Sequence, residues 1–270
     1  MRVEPGQVAV ITGGASGIGF GLAEVLAGRG VRLVIADVRP DGLASAASSL
    51  KEKGADVTAL AADVREESAV RAVADAALSA YGQVDLVCNN AGVVCSAASM
   101  WDQDPATWRR MIDIKMLGVI HGVRVFAPLL IRRGSGHILN TASSGGLAPL
   151  PGRTPYTGTM HAVVGLTETL DLELKEAAPG LGATVLCPGL VDTPLGANSA
   201  ALGAFTLPPG SNPGEGMRSQ AAAQGGILTP VEVAEEALKA IEAGRVHVAP
   251  GTGVADRART RVESLLSDIT

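Results

Sequence analysis

The sequence predicts an α/β fold: one doubly wound parallel sheet with helices on both faces, spanning all 270 residues as a single domain. Three observations predict it. Apolar runs of strand length alternate with amphipathic stretches of helix length along the chain. The first run, Val8 to Ile11, passes through a cluster of glycines directly into a helix-like stretch. No repeat or linker divides the chain.

The elements follow in order. After Val8 to Ile11 comes Thr12-Gly13-Gly14-Ala15-Ser16-Gly17-Ile18-Gly19, then a helix over Phe20 to Arg29 and a second strand, Val31 to Ala36, ending in Asp37. Pro40 and Asp41 open a helix to about Lys53, because proline is preset for a first helical turn. Asp56 to Ala61 is a third strand, and Glu66 to Tyr81 a helix whose leading acids favour the dipole. Val84 to Cys88 forms a fourth strand and runs into Asn89-Asn90-Ala91-Gly92. A long helix over Pro105 to Ile131 precedes a fifth strand, His137 to Thr141. Tyr156 to Glu176 is helical, Ala183 to Cys187 a sixth strand, Val231 to Ala243 a helix stopped by Gly244, and Arg245 to Val248 a last strand. Between Val191 and Thr229 the rhythm breaks into a long segment rich in Gly, Ala, Ser and Pro. Leaving the ligand-binding edge of the sheet, it is expected to be a substrate lid, the alternative being a surface insertion.

Charged residues make up 18% and net charge is −5, so neither a nucleic-acid footprint nor a basic membrane patch is present. Cys88, Cys95 and Cys187 are odd in number and lie in apolar surroundings, as reduced thiols do. No metal-ligand spacing appears among the histidines, and no metal is expected. Met1 to Gln7 holds no apolar signal region, and no apolar stretch of membrane-span length is expected. These features predict a soluble, cytoplasmic protein with a small-molecule substrate and no nucleic-acid or membrane partner.

Glycines between a strand and a helix, with an acid about twenty residues further on, form a dinucleotide fingerprint. Glycine lets backbone approach a pyrophosphate, and the helix N-terminus offers unpaired N–H groups. Here the spacing is T-G-x-x-x-G-x-G, through Gly13, Gly17 and Gly19, and it resembles the short-chain dehydrogenase/reductase family. Further segments carry the resemblance: Asp63-Val64 after the third strand, Asn89-Asn90-Ala91-Gly92 after the fourth, and Pro188-Gly189 with Val191 and Thr193 after the sixth. The resemblance implies a nicotinamide cofactor held by Gly13, Ser16, Gly17, Ile18, Gly19, Asp37, Asp63, Val64, Asn90, Ala91, Gly92, Tyr156, Pro188, Gly189, Val191 and Thr193. Asp37 is placed to accept from an adenosine ribose and to repel a 2′-phosphate, and Ser16 is neutral where phosphate-binding relatives carry a cation. NAD is therefore expected over NADP, with Arg39 as the counter-signal.

Carbonyl–alcohol interconversion needs a proton donor and a group fixing the oxygen. The resemblance puts Ser143 and Tyr156 in these roles. It then fails twice: Met160 stands where the family has lysine, and Lys115 where it has asparagine. A cation about 4 Å from a phenolate, at an effective dielectric near 20, is worth about 4 kcal/mol, so the exchange matters. Three readings stay open. Lys115 reaches the site and replaces the missing ammonium, or the fold performs a non-redox reaction or only binds its ligand, or Met160 was introduced to trap a complex. The leading expectation is an NAD-dependent oxidoreductase acting on a small or medium, largely apolar secondary alcohol and its ketone. Its pocket would be walled by Val93, Val94, Ser144, Gly145, Gly146, Leu147, Leu150 and the lid, with Trp101 and Trp108 as further candidates and no arginine cluster aimed at an anion. The resemblance also implies a homodimer or homotetramer, with Leu117, Val125, Val164 and Leu170 as candidate contacts.

Overall fold

The computed structural model describes residues 1–204, 206 and 226–269. Seven parallel strands form one sheet in the order β3-β2-β1-β4-β5-β6-β7. They are β1 (Val8–Thr12), β2 (Arg32–Asp37), β3 (Val57–Ala61), β4 (Leu86–Asn89), β5 (Ser135–Thr141), β6 (Gly180–Leu186) and β7 (His247–Val248). Their apolar runs are continuous because both faces are covered, which is why β1 is buried at every position. One face carries α1 (Gly17–Gly28), α2 (Pro40–Glu52) and α8 (Pro230–Glu242), packed through Leu22, Leu26, Leu43, Leu50, Leu238 and Ile241. The other carries α3 (Glu67–Tyr81), α5 (Gly118–Arg133) and α6 (Thr154–Ala177), packed through Val70, Val73, Phe126, Leu130, Leu170 and Leu174. The doubly wound, Rossmann-type sheet that the alternation predicts is the one observed.

The structure departs from the expectations at several points. The long helix after β4 is α4 (Pro105–Met111), a wide π-helical turn (Ile112–Leu117) and α5 rather than one regular helix. By length and composition, Pro105–Arg133 is apolar enough to cross a membrane, contrary to the expectation of no such stretch; its buried face of Val119, Val125, Phe126 and Leu130 packs on the sheet. Two helices went unpredicted, α7 (Leu195–Ala201) and α9 (Val254–Ile269). Val125, Val164 and Leu170, named as assembly contacts, are core residues instead; Ile131, Leu166 and Leu172 are the apolar side chains exposed on α5 and α6. Of the expected lid, 191–229, the described part holds α7 and a bridge between Val191 and Leu228, while residues 205 and 207–225 lie outside the described residues.

The chain leaves β1 toward β2 and returns on the other side to β4, so the crevice between their C-terminal ends is the switch point where such sheets bind ligands.

Candidate active site

A cleft of about 740 Å³ opens over that switch point. Its floor is the turn from β1 into α1. Gly13 and Gly17 take positive φ, +66° and +53°, and a Cβ on Gly19 would lie 2.8 Å from the Gly13 carbonyl carbon, so the turn closes only on glycine. Thr12 clamps this turn to the loop after β4. Its Oγ1 accepts from the amides of Asn90 (3.0 Å) and Ala91 (3.2 Å), and Asn90 Nδ2 donates to the Thr12 carbonyl (3.2 Å). The result is a concave backbone at a helix N-terminus, which fits a dinucleotide pyrophosphate. Behind it, Asn89 Nδ2 donates to Asn140 Oδ1 (2.9 Å) and Asn140 Nδ2 to Thr167 Oγ1 (3.0 Å), so buried amides tie β4, β5 and α6 together.

At the β2 end of the cleft, Asp37 closes the strand. Its carboxylate accepts from the amides of Ala15 (3.2 Å) and Arg39 (3.0 Å) and from Arg39 Nε (3.2 Å). The same guanidinium reaches Ser16 Oγ (3.0 Å) through Nη2 and Asn198 Oδ1 on α7 (2.7 Å) through Nη1. Asn198 Nδ2 also donates to Ser16 Oγ (3.1 Å), so cradle, β2 and α7 meet at one clasp. Asp63 pairs with Arg65 (2.6 Å), whose guanidinium holds the carboxyl below the usual carboxylate range. The adjacent Val64 carbonyl lies 2.8 Å from His121 Nδ1.

At the other end, Ser143 follows β5 in extended conformation and caps a short turn by accepting from the Gly145 amide (3.2 Å). Ser143 lines the same cleft as Tyr156 and lies near enough to the phenol to pull its pKa down. Burial pushes the Tyr156 phenol above its ordinary pKa, while Ser143 and the Arg153 charge pull the other way. Lys115 is not a surface lysine: it is 5% exposed, lines the cleft, and belongs to the π turn. Its chain lies across Gly92, where a Cβ would come within 2.8 Å of Cδ. Burial lowers its ammonium to a pKa of about 8. The cation that acts on the Tyr156 phenol is the Arg153 guanidinium; Lys115 is not among the groups that shift it. Met160 is fully buried against Val119, Ala142, Val163 and Cys187 and does not reach the cleft.

Gly13, Ser16, Gly17, Ile18, Asp37, Asp63, Val64, Asn90, Ala91, Gly92, Pro188, Gly189, Val191 and Thr193 all line the cleft with Ser143, Tyr156 and Lys115. Gly19 lies beneath it, packed on Gly13 and Asn90. Of the expected substrate wall, Val93, Val94, Ser144 and Leu150 line the cleft, whereas Gly145 and Gly146 are buried and Leu147 packs on the cluster around Met160 instead. Trp101 stands 84% exposed, and neither it nor Trp108 reaches the cleft. No arginine cluster was expected on the substrate wall; Arg39, Arg65, Arg110, Arg153 and Arg257 all line the cleft, Arg110 and Arg153 on the same lining as Tyr156. Two polar residues went unread, Asn198 and Thr141. The Thr141 Oγ1 is buried on the cleft wall without a hydrogen-bond partner among the described residues, and its position two residues before Ser143 was the available signal.

A seven-stranded parallel sheet with this cradle, and a serine–tyrosine pair across from it, defines a nucleotide-dependent dehydrogenase architecture. The family model for short chain dehydrogenase matches residues 7–201, and the chain belongs to that family: it is an oxidoreductase that binds a nicotinamide cofactor. Among curated proteins it is 39% identical over 197 residues to 1-deoxy-11-beta-hydroxypentalenate dehydrogenase of Streptomyces avermitilis, covering 72% of each chain. Among solved structures, a short chain dehydrogenase/reductase from Burkholderia phymatum in complex with NAD is 35% identical, with a TM-score of 0.89 over 99% of this chain and 97% of that one. An alcohol dehydrogenase from the archaeon Thermococcus sibiricus, complexed with 5-hydroxy-NADP, is 28% identical with a TM-score of 0.74, covering 90% and 95%.

Proposed function

We propose that the protein interconverts a small or medium, largely apolar secondary alcohol and its ketone, with Tyr156 as acid/base, Ser143 as the donor that positions the oxygen, and NAD as preferred cofactor. The observation that carries this is that Ser143 and Tyr156 line one cleft with the glycine cradle, Ser143 near enough to act on the phenol. The bound nicotinamide supplies the hydride donor or acceptor. Ser143 Oγ then holds the substrate oxygen, and the phenol gives up its proton to that oxygen as a carbonyl is reduced. A phenol raised by burial stays protonated at neutral pH, which favours this ketone-reducing direction. Lys115 presents its ammonium beside Gly92, on the cofactor side of the cleft, and there supplies the cation that Met160 does not. Support for NAD comes from the Asp37 carboxylate at the end of β2; Arg39, paired with it, moderates the repulsion of a 2′-phosphate. The exposed Ile131, Leu166 and Leu172 on α5 and α6 support extending the proposal to a homodimer or homotetramer.

The test is absorbance at the reduced-nicotinamide band with a panel of cyclic ketones, wild type against Tyr156→Phe. Turnover lost by at least about a hundredfold in the variant is expected, in the range of a removed general acid. Intact NAD binding with no turnover in the wild type points to a non-redox or ligand-binding protein instead.

A further inference from the structure

We infer that the substrate end of the cleft recognises a carboxylate on an otherwise apolar hydroxy or keto compound, through Arg110 and Arg153; this rests on the alcohol–ketone reading above and names its substrate class. Arg110 lies on α4 one residue before Met111, and Arg153 caps α6 three residues before Tyr156. Met111, Cys95, Val93 and Ala204 form one small buried cluster against which Tyr156 packs. Both arginines line the cleft with Tyr156, and the Arg153 charge acts on its phenol.

The two arginines differ from their counterparts elsewhere on the lining. Arg39 and Arg65 are each paired with a carboxylate, Asp37 and Asp63. Arg153 Nη1 donates only to the Cys95 carbonyl (2.5 Å), and Arg110 Nη1 only to the Gly203 carbonyl. Among the described residues neither has an acidic partner, and both are half-buried. A guanidinium carries five N–H donors in a fixed fork, so each retains donors for a ligand and a charge that no acid among the described residues balances. A partly desolvated cation of this kind favours an anion, and the fork matches a carboxylate. The same lining includes Val93, Val94, Ile114 and Leu150, which suit the apolar body of such a compound.

Calorimetry on the NAD-loaded protein with cyclohexanecarboxylate and with its methyl ester reads charge recognition without requiring turnover. The acid is expected to bind at least tenfold more tightly than the ester, the scale of a charge-assisted hydrogen bond, and Arg110→Gln and Arg153→Gln should each erase most of that preference. Arg110→Lys, which keeps the charge and loses the fork, should retain part of it. Equal affinity for acid and ester, no heat from either, or a preference that survives both glutamine replacements would overturn the inference. Turnover of 4-oxocyclohexanecarboxylate against its methyl ester separates this from the parent reading. Acid binding without nicotinamide oxidation defeats the hydride-transfer proposal alone, and equal turnover of acid and ester defeats the carboxylate site alone.

Discussion

Lys115 holds a buried charge at neutral pH, and replacing it with methionine of similar length should stabilise the protein without cofactor. The ammonium falls from 10.5 to about 8 on folding because burial strips its hydration. Below pH 8 both states are protonated, and the depressed pKa corresponds to roughly 3 kcal/mol of lost stability. Between pH 8 and 10.5 the unfolded chain binds more protons than the folded one, so stability rises with pH, and at pH 10 the loss shrinks to under about 1 kcal/mol. Urea unfolding of wild type and Lys115→Met at pH 7 and pH 10 isolates this group, since other titrations cancel in the difference. The variant should be about 3 kcal/mol more stable at pH 7 and nearly matched at pH 10. A variant less stable than wild type at pH 7, or a difference that ignores pH, refutes the account.

Gly92→Ala drives a methyl into the Lys115 chain and should destabilise by about 1–3 kcal/mol, with Lys115→Ala in the same molecule restoring most of it; unfolding midpoints check this. Asp37→Ala frees Arg39 and should lower the NAD over NADP preference in kcat/KM by at least about tenfold; an unchanged ratio removes Asp37 from cofactor choice. Met160→Lys puts an ammonium four residues after Tyr156 and should move the basic limb of the alcohol-oxidation pH profile down by about one to three units. If that variant also gains rate steeply while Lys115→Asn changes nothing, Lys115 has no part in the chemistry.

Strands buried on both faces are legible because nothing polar interrupts them, and β1, β2 and the cradle between them follow from the sequence almost residue by residue. The start of β6 is less so, because Gly180-Leu181-Gly182 has the composition of a turn while the β5 ladder holds it extended. The helix α9 went unpredicted although Val262, Leu265, Leu266 and Ile269 recur at helical spacing, because its many charges and low burial weaken the pattern. The departure at Met160 and Lys115 was visible as residue identity; what the ammonium faces was not, because that depends on a backbone turn wider than 3.6 residues. The arginines of the cleft were hidden for a similar reason: a guanidinium reads as surface until the fold folds its stem inward.

The widened turn at Ile112–Leu117 is also a rotational offset within one continuous rod. One extra residue in a turn swings everything before it by about 100° relative to everything after it. Excising a single residue from this stretch would therefore keep nearly every side chain yet aim the ammonium of Lys115 elsewhere, so the cleft's charge is set by an insertion in the main chain as much as by the choice of amino acid.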